Sequence, residues 1–485
     1  MYIKLCKDSF FRQYGDFGYL VNRLNRNEKV YNETGAIFLS HITKTVKLFD
    51  DIFSEIKSIF YDIDEQDLKD DFLSFVQELH EEKFLILGDT EETTKTKEYS
   101  FSYKKQKENE DLAIMTSMDS FNQKEKLPDV TEYFNAIGKK NSVLLSLEFE
   151  LTKRCNERCI HCYIPNSDKD LNVDIDKNLV KKILKEARDI GTIDVTFSGG
   201  EPFLHKDIEE ILRYAATLDL SINILSNALL INKETCMLLK EVDISNIQIS
   251  LYSMNPEEHD LITKVKGSHK KTLNAIEMLI EHDIPVQISC PVMKANKNAY
   301  KDVAKYAYSK GVKSGVDFII MAQSNLDTDN LANRLSLEEI EEHLKAQIKE
   351  DERYKQHLQF LVEEQPETMI KPETPICAVG NKMLCVGADG NYYPCAGWQG
   401  YVIGNAKEKG LKEVWFNSEK LEFLRGITHA SFPECLTCPD RLACSICLAR
   451  NYNESGGDMF KNAEFFCKAA KLNNKVVNNY KAKLK

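Results

Sequence analysis

No run of about 18 apolar residues occurs in the chain, so no transmembrane helix is expected. The first residues, Met1-Tyr2-Ile3-Lys4-Leu5-Cys6-Lys7-Asp8, show no apolar signal-peptide region, and a cytoplasmic location is expected. Positive charge is in deficit: 64 Lys and Arg stand against 76 Asp and Glu, a net charge of -12. That balance argues against a general binder of nucleic acid or of anionic membrane. Disulfides are not expected in a reducing compartment, so fourteen cysteines in spaced clusters read as metal ligands. What is present is an ordinary globular balance of 42% hydrophobic and 29% charged residues over 485 positions, room for two to four domains.

Residues 1–88 form a first unit. Strands are expected at 2–7, 17–24 and 29–31, followed by three amphipathic helices. Their apolar positions include Ala36, Ile37 and Leu39, then Phe49, Ile52, Phe53, Ile56 and Phe60, then Leu68, Phe72, Val76 and Leu79. Residues 89–141 are polar and charge-rich and read as a linker with limited local structure. From 142 to 335, strand and helix patterns alternate, with strands at 143–151, 193–198, 221–226, 246–252, 285–292 and 315–321. Six such units imply an α/β fold with a parallel sheet curling into a partial barrel, with functional residues at the strands' C-terminal ends. A charged helical connection, 336–376, leads to a cysteine-rich last domain, 377–485.

The first strand of the barrel runs into Cys155-x3-Cys159-x2-Cys162, where a fourth cysteine is missing. Three thiolates can hold three irons of a 4Fe-4S cube and leave the fourth open, an arrangement suited to chemistry rather than to electron transfer alone. A zinc knuckle or a set of buried thiols is the alternative, although zinc sites prefer four ligands in paired spacing. Ser198-Gly199-Gly200-Glu201-Pro202 ends the second strand; two glycines let the backbone turn and approach a ligand closely, and Glu201 can receive an ammonium group. The C-terminal region carries Cys377, Cys385 and Cys395, then Cys435-x2-Cys438-x5-Cys444-x2-Cys447, then Cys467, enough thiolates for two complete four-ligand sites without a histidine cluster. Ligand type alone leaves zinc and iron–sulfur open there. Cys6, Cys236 and Cys290 read as small buried hydrophobes.

The cysteine triplet followed one strand later by Gly-Gly-Glu-Pro resembles the signature of the radical S-adenosylmethionine enzymes. The resemblance implies that Cys155, Cys159 and Cys162 ligate a cluster whose open iron chelates S-adenosylmethionine. Reductive cleavage of that cofactor then gives a hydrogen-abstracting 5'-deoxyadenosyl radical. It further implies cofactor contacts from Ser198, Gly199, Gly200 and Glu201, from Ser226, Asn227 and Ser250 at later strand ends, and from His161 near the adenine. In the family, the segment like His259-Asp260-Leu261-Ile262-Thr263 often continues with Arg, which meets the cofactor carboxylate; here Thr263 is followed by Lys264, so that contact would fall to Lys264 or Lys266. The C-terminal cysteines resemble the SPASM extension, whose interleaved ligation would give one auxiliary cluster to Cys377, Cys385, Cys395 and Cys447 and the second to Cys435, Cys438, Cys444 and Cys467. The x2 between Cys444 and Cys447, where the family has x3, is a departure. Residues 1–88, with the turn Asn32-Glu33-Thr34-Gly35-Ala36, resemble the winged-helix peptide-recognition element first known from pyrroloquinoline quinone synthesis.

Together these resemblances imply an enzyme with three 4Fe-4S clusters that matures a ribosomally made precursor peptide. A leader would bind the N-terminal unit, a core would enter the barrel, and a cysteine thioether would form. A flavodoxin or ferredoxin would donate electrons. Carbon–carbon crosslinking, epimerisation, a sulfatase-maturing type of protein oxidase, and a non-enzymatic zinc scaffold with a peptide-binding domain are the alternatives.

Overall fold

A computed structural model of the chain describes residues 1–25, 27–103, 143–350 and 371–484. The N-terminal unit holds six short strands, β1 (Tyr2–Leu5), β2 (Ser9–Tyr14), β3 (Phe17–Asn22), β4 (Asn27–Tyr31), β5 (Lys47–Leu48) and β6 (Leu85–Gly88), in two three-stranded antiparallel sheets ordered β2-β3-β4 and β5-β1-β6. Helices α1 (Glu33–Ser40), α2 (Phe49–Lys57) and α3 (Glu65–Glu81) complete it, α3 being capped by Asp64, which accepts from the amides of Gln66 and Asp67. The expected apolar faces pack together: Leu39, Phe49, Ile52, Phe53, Ile56, Leu68, Phe72, Val76 and Leu79 share one core, in which Phe38 rather than the expected Ile37 takes part.

Three of the six strands were not expected. β2 escapes the alternation rule because Arg12, in its middle, is buried against the barrel, where it donates to the Thr192 carbonyl and pairs with Asp219 at 2.9 Å. β6 is a short apolar run after a helix, a pattern that periodicity does not separate from helix. Phe10, Tyr14, Phe17, Tyr19 and Val21 then pack on Val143 and Ile193, so the N-terminal unit sits against the N-terminal ends of the barrel strands.

The first part of the expected linker is structured. Helix α4 (Glu91–Thr96) follows Thr90, which caps it, Glu98 pairs with the buried Lys4 at 2.6 Å, and the Tyr103 hydroxyl donates to the Ile284 carbonyl at 3.1 Å inside the barrel core. Charge-rich composition hides a few anchoring side chains. Residues 104–142 lie outside the described residues.

The barrel strands are β7 (Ser146–Glu150), β8 (Asp194–Ser198), β9 (Ser221–Ser226), β10 (Asn246–Ser250), β11 (Val286–Ser289) and β12 (Lys313–Gly315), parallel neighbours in that order. The sixth strand is shorter and earlier than expected; after the Val292 amide bonds to the Asp317 carbonyl at 2.6 Å, the chain leaves the sheet. Outside the strands run α5 (Lys177–Asp189), α6 (Ile208–Ala216), α7 (Lys233–Glu241), α8 (Pro256–Thr263), α9 (Ser268–Glu281) and α10 (Tyr300–Lys310), of which α8 was not expected. Helix α11 (Leu337–Glu350) opens the connection to the last domain, and residues 351–370 lie outside the described residues. The last domain adds β13 (Met383–Val386), parallel to β7, then β14 (Asn391–Tyr393) and β15 (Gly404–Asn405), so barrel and tail share one nine-stranded sheet and one core.

Candidate active site

The cysteine triplet lies in the loop leaving β7, and backbone bonds stitch that loop down on both sides. On one side, the Gly200 amide donates to the Thr152 carbonyl and the Glu201 amide to the Arg154 carbonyl, each at 2.8 Å. On the other, Arg158 and Ile160 donate to the carbonyls of Thr263 and Ile262 at 2.9 and 3.0 Å. A β-carbon on Gly200 would lie 2.1 Å from the Arg154 carbonyl oxygen, and Gly199, at φ +131°, would place one 2.5 Å from that of Thr152. The glycines are therefore required by the close approach of two backbones.

Glu201 is buried. It accepts from the Ser226 hydroxyl and the Asn227 amide, both at 2.9 Å, and burial pushes its carboxyl up to about 7 despite those bonds. Asn227 also donates to Asn156 at 2.6 Å and to the Cys155 sulfur at 3.9 Å. Burial pushes Cys155 up to about 11 and Cys159 well above its ordinary value, so the thiolates need a cation beside them. His161 packs edge-on against Tyr252, with centroids 5.0 Å apart. Its Nδ1 is buried without a partner, and burial lowers its pKa to about 4. The Tyr252 hydroxyl reaches the Cys159 sulfur at 3.8 Å, and Ser250 bonds to that tyrosine. Thus Glu201, Ser226, Asn227, Ser250 and His161 gather around the triplet, whereas Ser198 turns aside: its hydroxyl donates to Glu148 at 2.8 Å. Lys264 and Lys266 are exposed and do not enter the site.

Several residues of this site were not expected. Lys169 is 3% exposed and enters no ion pair among the described residues; its charge acts on Cys155, Glu157, Cys159 and His161. Glu157 is also buried and accepts from the Cys159 thiol at 3.1 Å; burial raises its carboxyl to about 7. Glu148 and Glu150 stand two apart on β7 and so face the same side of the sheet. Tyr163 and Gln399 donate to Glu150, whose carboxyl burial pushes up to about 8, with Glu148 adding repulsion. Polar residues at alternate positions of an otherwise apolar strand were the available signal. A carboxyl raised in the folded state takes up its proton on folding, so stability is full at low pH and falls as pH rises toward 8. Glu150→Gln should remove that loss. Between pH 5 and pH 8 the variant is expected to gain about 1–2 kcal/mol on the wild type, read from anaerobic thermal melts.

The cysteines of the tail fall into two neighbourhoods. Cys447 acts electrostatically on Cys377 and Cys395, Cys377 acts on Cys395, and Cys395 acts on Cys385. Cys435, Cys438, Cys444 and Cys467 form the other set. Among the described residues no three His, Cys, Asp or Glu side chains stand close enough to hold one metal ion, so the grouping is one of neighbourhood rather than of coordination distance.

Residues 149–307 match the radical SAM superfamily and residues 377–439 match SPASM, an iron-sulfur cluster-binding domain. This is a radical SAM enzyme with a SPASM domain. Iron–sulfur clusters and S-adenosylmethionine are its cofactors, which sets the zinc scaffold aside, and the radical SAM site built above fits them: free thiols, a glycine cradle and an unpartnered buried His161 nitrogen converge on one place. Among curated proteins, the chain is 26% identical to the AdoMet-dependent heme synthase of Methanosarcina barkeri, over 64% of this chain and 93% of that one. It is 28% identical to the antilisterial bacteriocin subtilosin biosynthesis protein AlbA of Bacillus subtilis, over 64% of this chain and 68% of that one. Among solved structures, Streptococcus suis SuiB bound to its precursor peptide SuiA superposes with a TM-score of 0.63 at 17% identity, covering 96% of this radical SAM chain and 99% of the other. That likeness is one of fold, and it extends over the N-terminal unit as well as the barrel and the SPASM domain.

Proposed function

We propose that this enzyme modifies a ribosomally made precursor peptide whose leader docks on the N-terminal unit. The observation that carries the reading is β4, an edge strand of the β2-β3-β4 sheet lying beside α3. Lys29 pairs with Glu78 of that helix and with Glu82 just beyond its end, and Tyr31 packs edge-on against Phe75 at 5.2 Å. An open edge next to a helix suits an extended peptide, whose backbone bonds give affinity while side-chain pockets select. Docking there raises the effective concentration of a flexible core at the barrel. The fold likeness to a protein crystallised with its precursor peptide, and the similarity to a bacteriocin biosynthesis protein, support the same substrate class.

Three 4Fe-4S clusters fit the thiols: Cys155, Cys159 and Cys162 for the first, Cys377, Cys385, Cys395 and Cys447 for the second, and Cys435, Cys438, Cys444 and Cys467 for the third. The neighbourhood of Cys447 with Cys377 and Cys395 supports its place despite the shortened spacing. When bound, the first cluster and S-adenosylmethionine supply the hydrogen-abstracting radical. Gly199, Gly200 and Glu201 would hold the cofactor's amino end, Ser226, Asn227 and Ser250 its ribose and methionine portion, and His161 would meet its adenine, while Glu148 and Glu150 bring carboxyls raised by burial into the barrel. A cysteine thioether is the product this reading favours.

The test is fluorescence anisotropy with labelled leader. Strand residues alternate in which N–H faces the neighbouring strand, so proline at Lys29 or at Val30 removes an edge donor in one case. One of the two substitutions is expected to weaken leader binding at least about tenfold while sparing uncoupled cofactor cleavage. Wild-type affinity in both excludes this docking edge.

A further inference from the structure

After the sixth barrel strand the chain returns across the cysteine loop before it enters α11. A 3-10 helix, Asp329–Asn333, lies on that loop. The side-chain amide of Asn330 donates to the carbonyls of His161 and Cys162 at 3.2 and 3.3 Å, and that of Asn333 donates to the Ile160 carbonyl at 2.8 Å. The backbone amide of Ser324 donates to the Tyr163 carbonyl at 2.9 Å. The four successive carbonyls that surround Cys162 are therefore all held from one segment, 324–333.

The tail grips the same segment from its other side. Arg334, next in the chain and 6% exposed, forms a two-pronged ion pair with Glu454 at 2.6 and 3.2 Å. Its Nε donates to the Ile320 carbonyl at 2.9 Å. Glu454 ends the helix Leu448–Glu454, which starts one residue after Cys447. The guanidinium also lies over Phe465 and Phe466, 4.4 and 4.8 Å from the ring centres, and Cys467 follows them in the helix Glu464–Leu484. The Asn453 side chain, 1% exposed, ties Ala322 to Gly397, donating to their carbonyls at 3.3 and 2.9 Å; Gly397 stands two residues after Cys395. A planar fork that is buried, paired and stacked has little freedom to reorient. Close packing then passes any shift of the tail on to its neighbours.

We propose that Arg334 is a positioning residue for the cofactor site: through Asn333 and Asn330 it couples the seating of the tail, at Glu454 and Phe465–Cys467, to the shape of the cysteine loop. S-adenosylmethionine then binds tightly when the tail is docked and weakly when it is not. The inference rests on the radical SAM and SPASM domains and is independent of the peptide reading.

The experiment is calorimetry of S-adenosylmethionine binding to the anaerobically reconstituted full-length enzyme, with hydrogen exchange followed at residues 158–163 and 465–470. Arg334→Met is expected to weaken binding at least about tenfold, within the ordinary range of coupling between sites, and to speed exchange at 158–163 with iron content unchanged. It should also alter the shift that the cofactor imposes on the electron paramagnetic resonance signal of the reduced radical cluster. Arg334→Lys, which keeps the charge and loses the fork, should restore part of the affinity. Asn333→Ala removes the bond to the Ile160 carbonyl and leaves the ion pair intact. It should weaken binding in the same direction with a melting temperature near that of the wild type. Arg12→Met removes a buried, ion-paired arginine at the opposite end of the barrel, so it should lower the melting temperature while leaving cofactor affinity unchanged. Coupling is reciprocal, so in the wild type the cofactor is expected to slow exchange at 465–470. Wild-type affinity in both Arg334→Met and Asn333→Ala overturns the proposal. So does an affinity loss in Arg12→Met that matches Arg334→Met, which would mean general softening, and so does unchanged exchange at 465–470 when the wild type binds the cofactor.

Discussion

Alanine at Cys155, Cys159 and Cys162 together is expected to abolish 5'-deoxyadenosine formation and to leave about two thirds of the iron, since two of the three proposed clusters keep all their thiolates. The loss should be complete because these three thiols, the proposed ligands, lie beside Glu201, Asn227 and His161. The auxiliary groups lie in the tail, with Cys385 paired in register with Glu148, and they lack the glycine cradle. Iron and sulfide analysis of the anaerobically reconstituted variant, with chromatographic assay of 5'-deoxyadenosine under dithionite, decides the matter. Residual cleavage refutes the ligand assignment, and iron near zero refutes two further clusters.

Gly200→Ala is expected to cost at least about 100-fold in cofactor cleavage, close to 3 kcal/mol at 1.4 kcal/mol per decade. The added methyl meets the Arg154 carbonyl oxygen at 2.1 Å, a backbone atom one residue before the first ligand. Relief requires the cysteine loop to move, which breaks the bond from the Glu201 amide and shifts Cys155 away from Asn227. Gly267 supplies the contrast. Its φ is +83° but nothing lies within 4 Å of an added β-carbon, so Gly267→Asn, a residue tolerant of that conformation, should leave cleavage near wild type. S-adenosylmethionine binding by calorimetry on the reconstituted protein separates lost affinity from lost turnover. Normal affinity and turnover in Gly200→Ala would mean that the loop is not held as described.

The barrel was legible because its signals are of two independent kinds: alternating strand and helix periods, and residues fixed at strand ends by chemistry rather than by packing. Gly199 and Gly200 could be read as a close approach, though not what they approach. Other features were hidden because a local window averages them away. Lys169 sits in Asn-Ser-Asp-Lys-Asp, a stretch that reads as solvated loop, yet it is 3% exposed. Arg12 breaks the pattern of β2 because its partners, Thr192 and Asp219, are some 200 residues away in sequence, the second by 207. Lys264 and Lys266 were placed toward the cofactor by analogy with a basic residue at the end of that segment. The left-handed turn at Lys264 sends them outward instead.

Strand β7 is hydrogen-bonded along both edges, to β8 of the barrel and to β13 of the tail, with Glu148 opposite Thr196 on one side and Cys385 on the other. The seam between barrel and tail is therefore a row of backbone hydrogen bonds in register, with no hinge across it. A tail grafted from a relative has to bring a strand that zips onto this edge with the same alignment. A slip of one position would turn Cys385 to the opposite face and carry its sulfur out of its set. Chimeras cut in the connecting segment alone would thus inherit the right cysteines in the wrong orientation, and recombination within this architecture is constrained by strand alignment before it is constrained by ligand count.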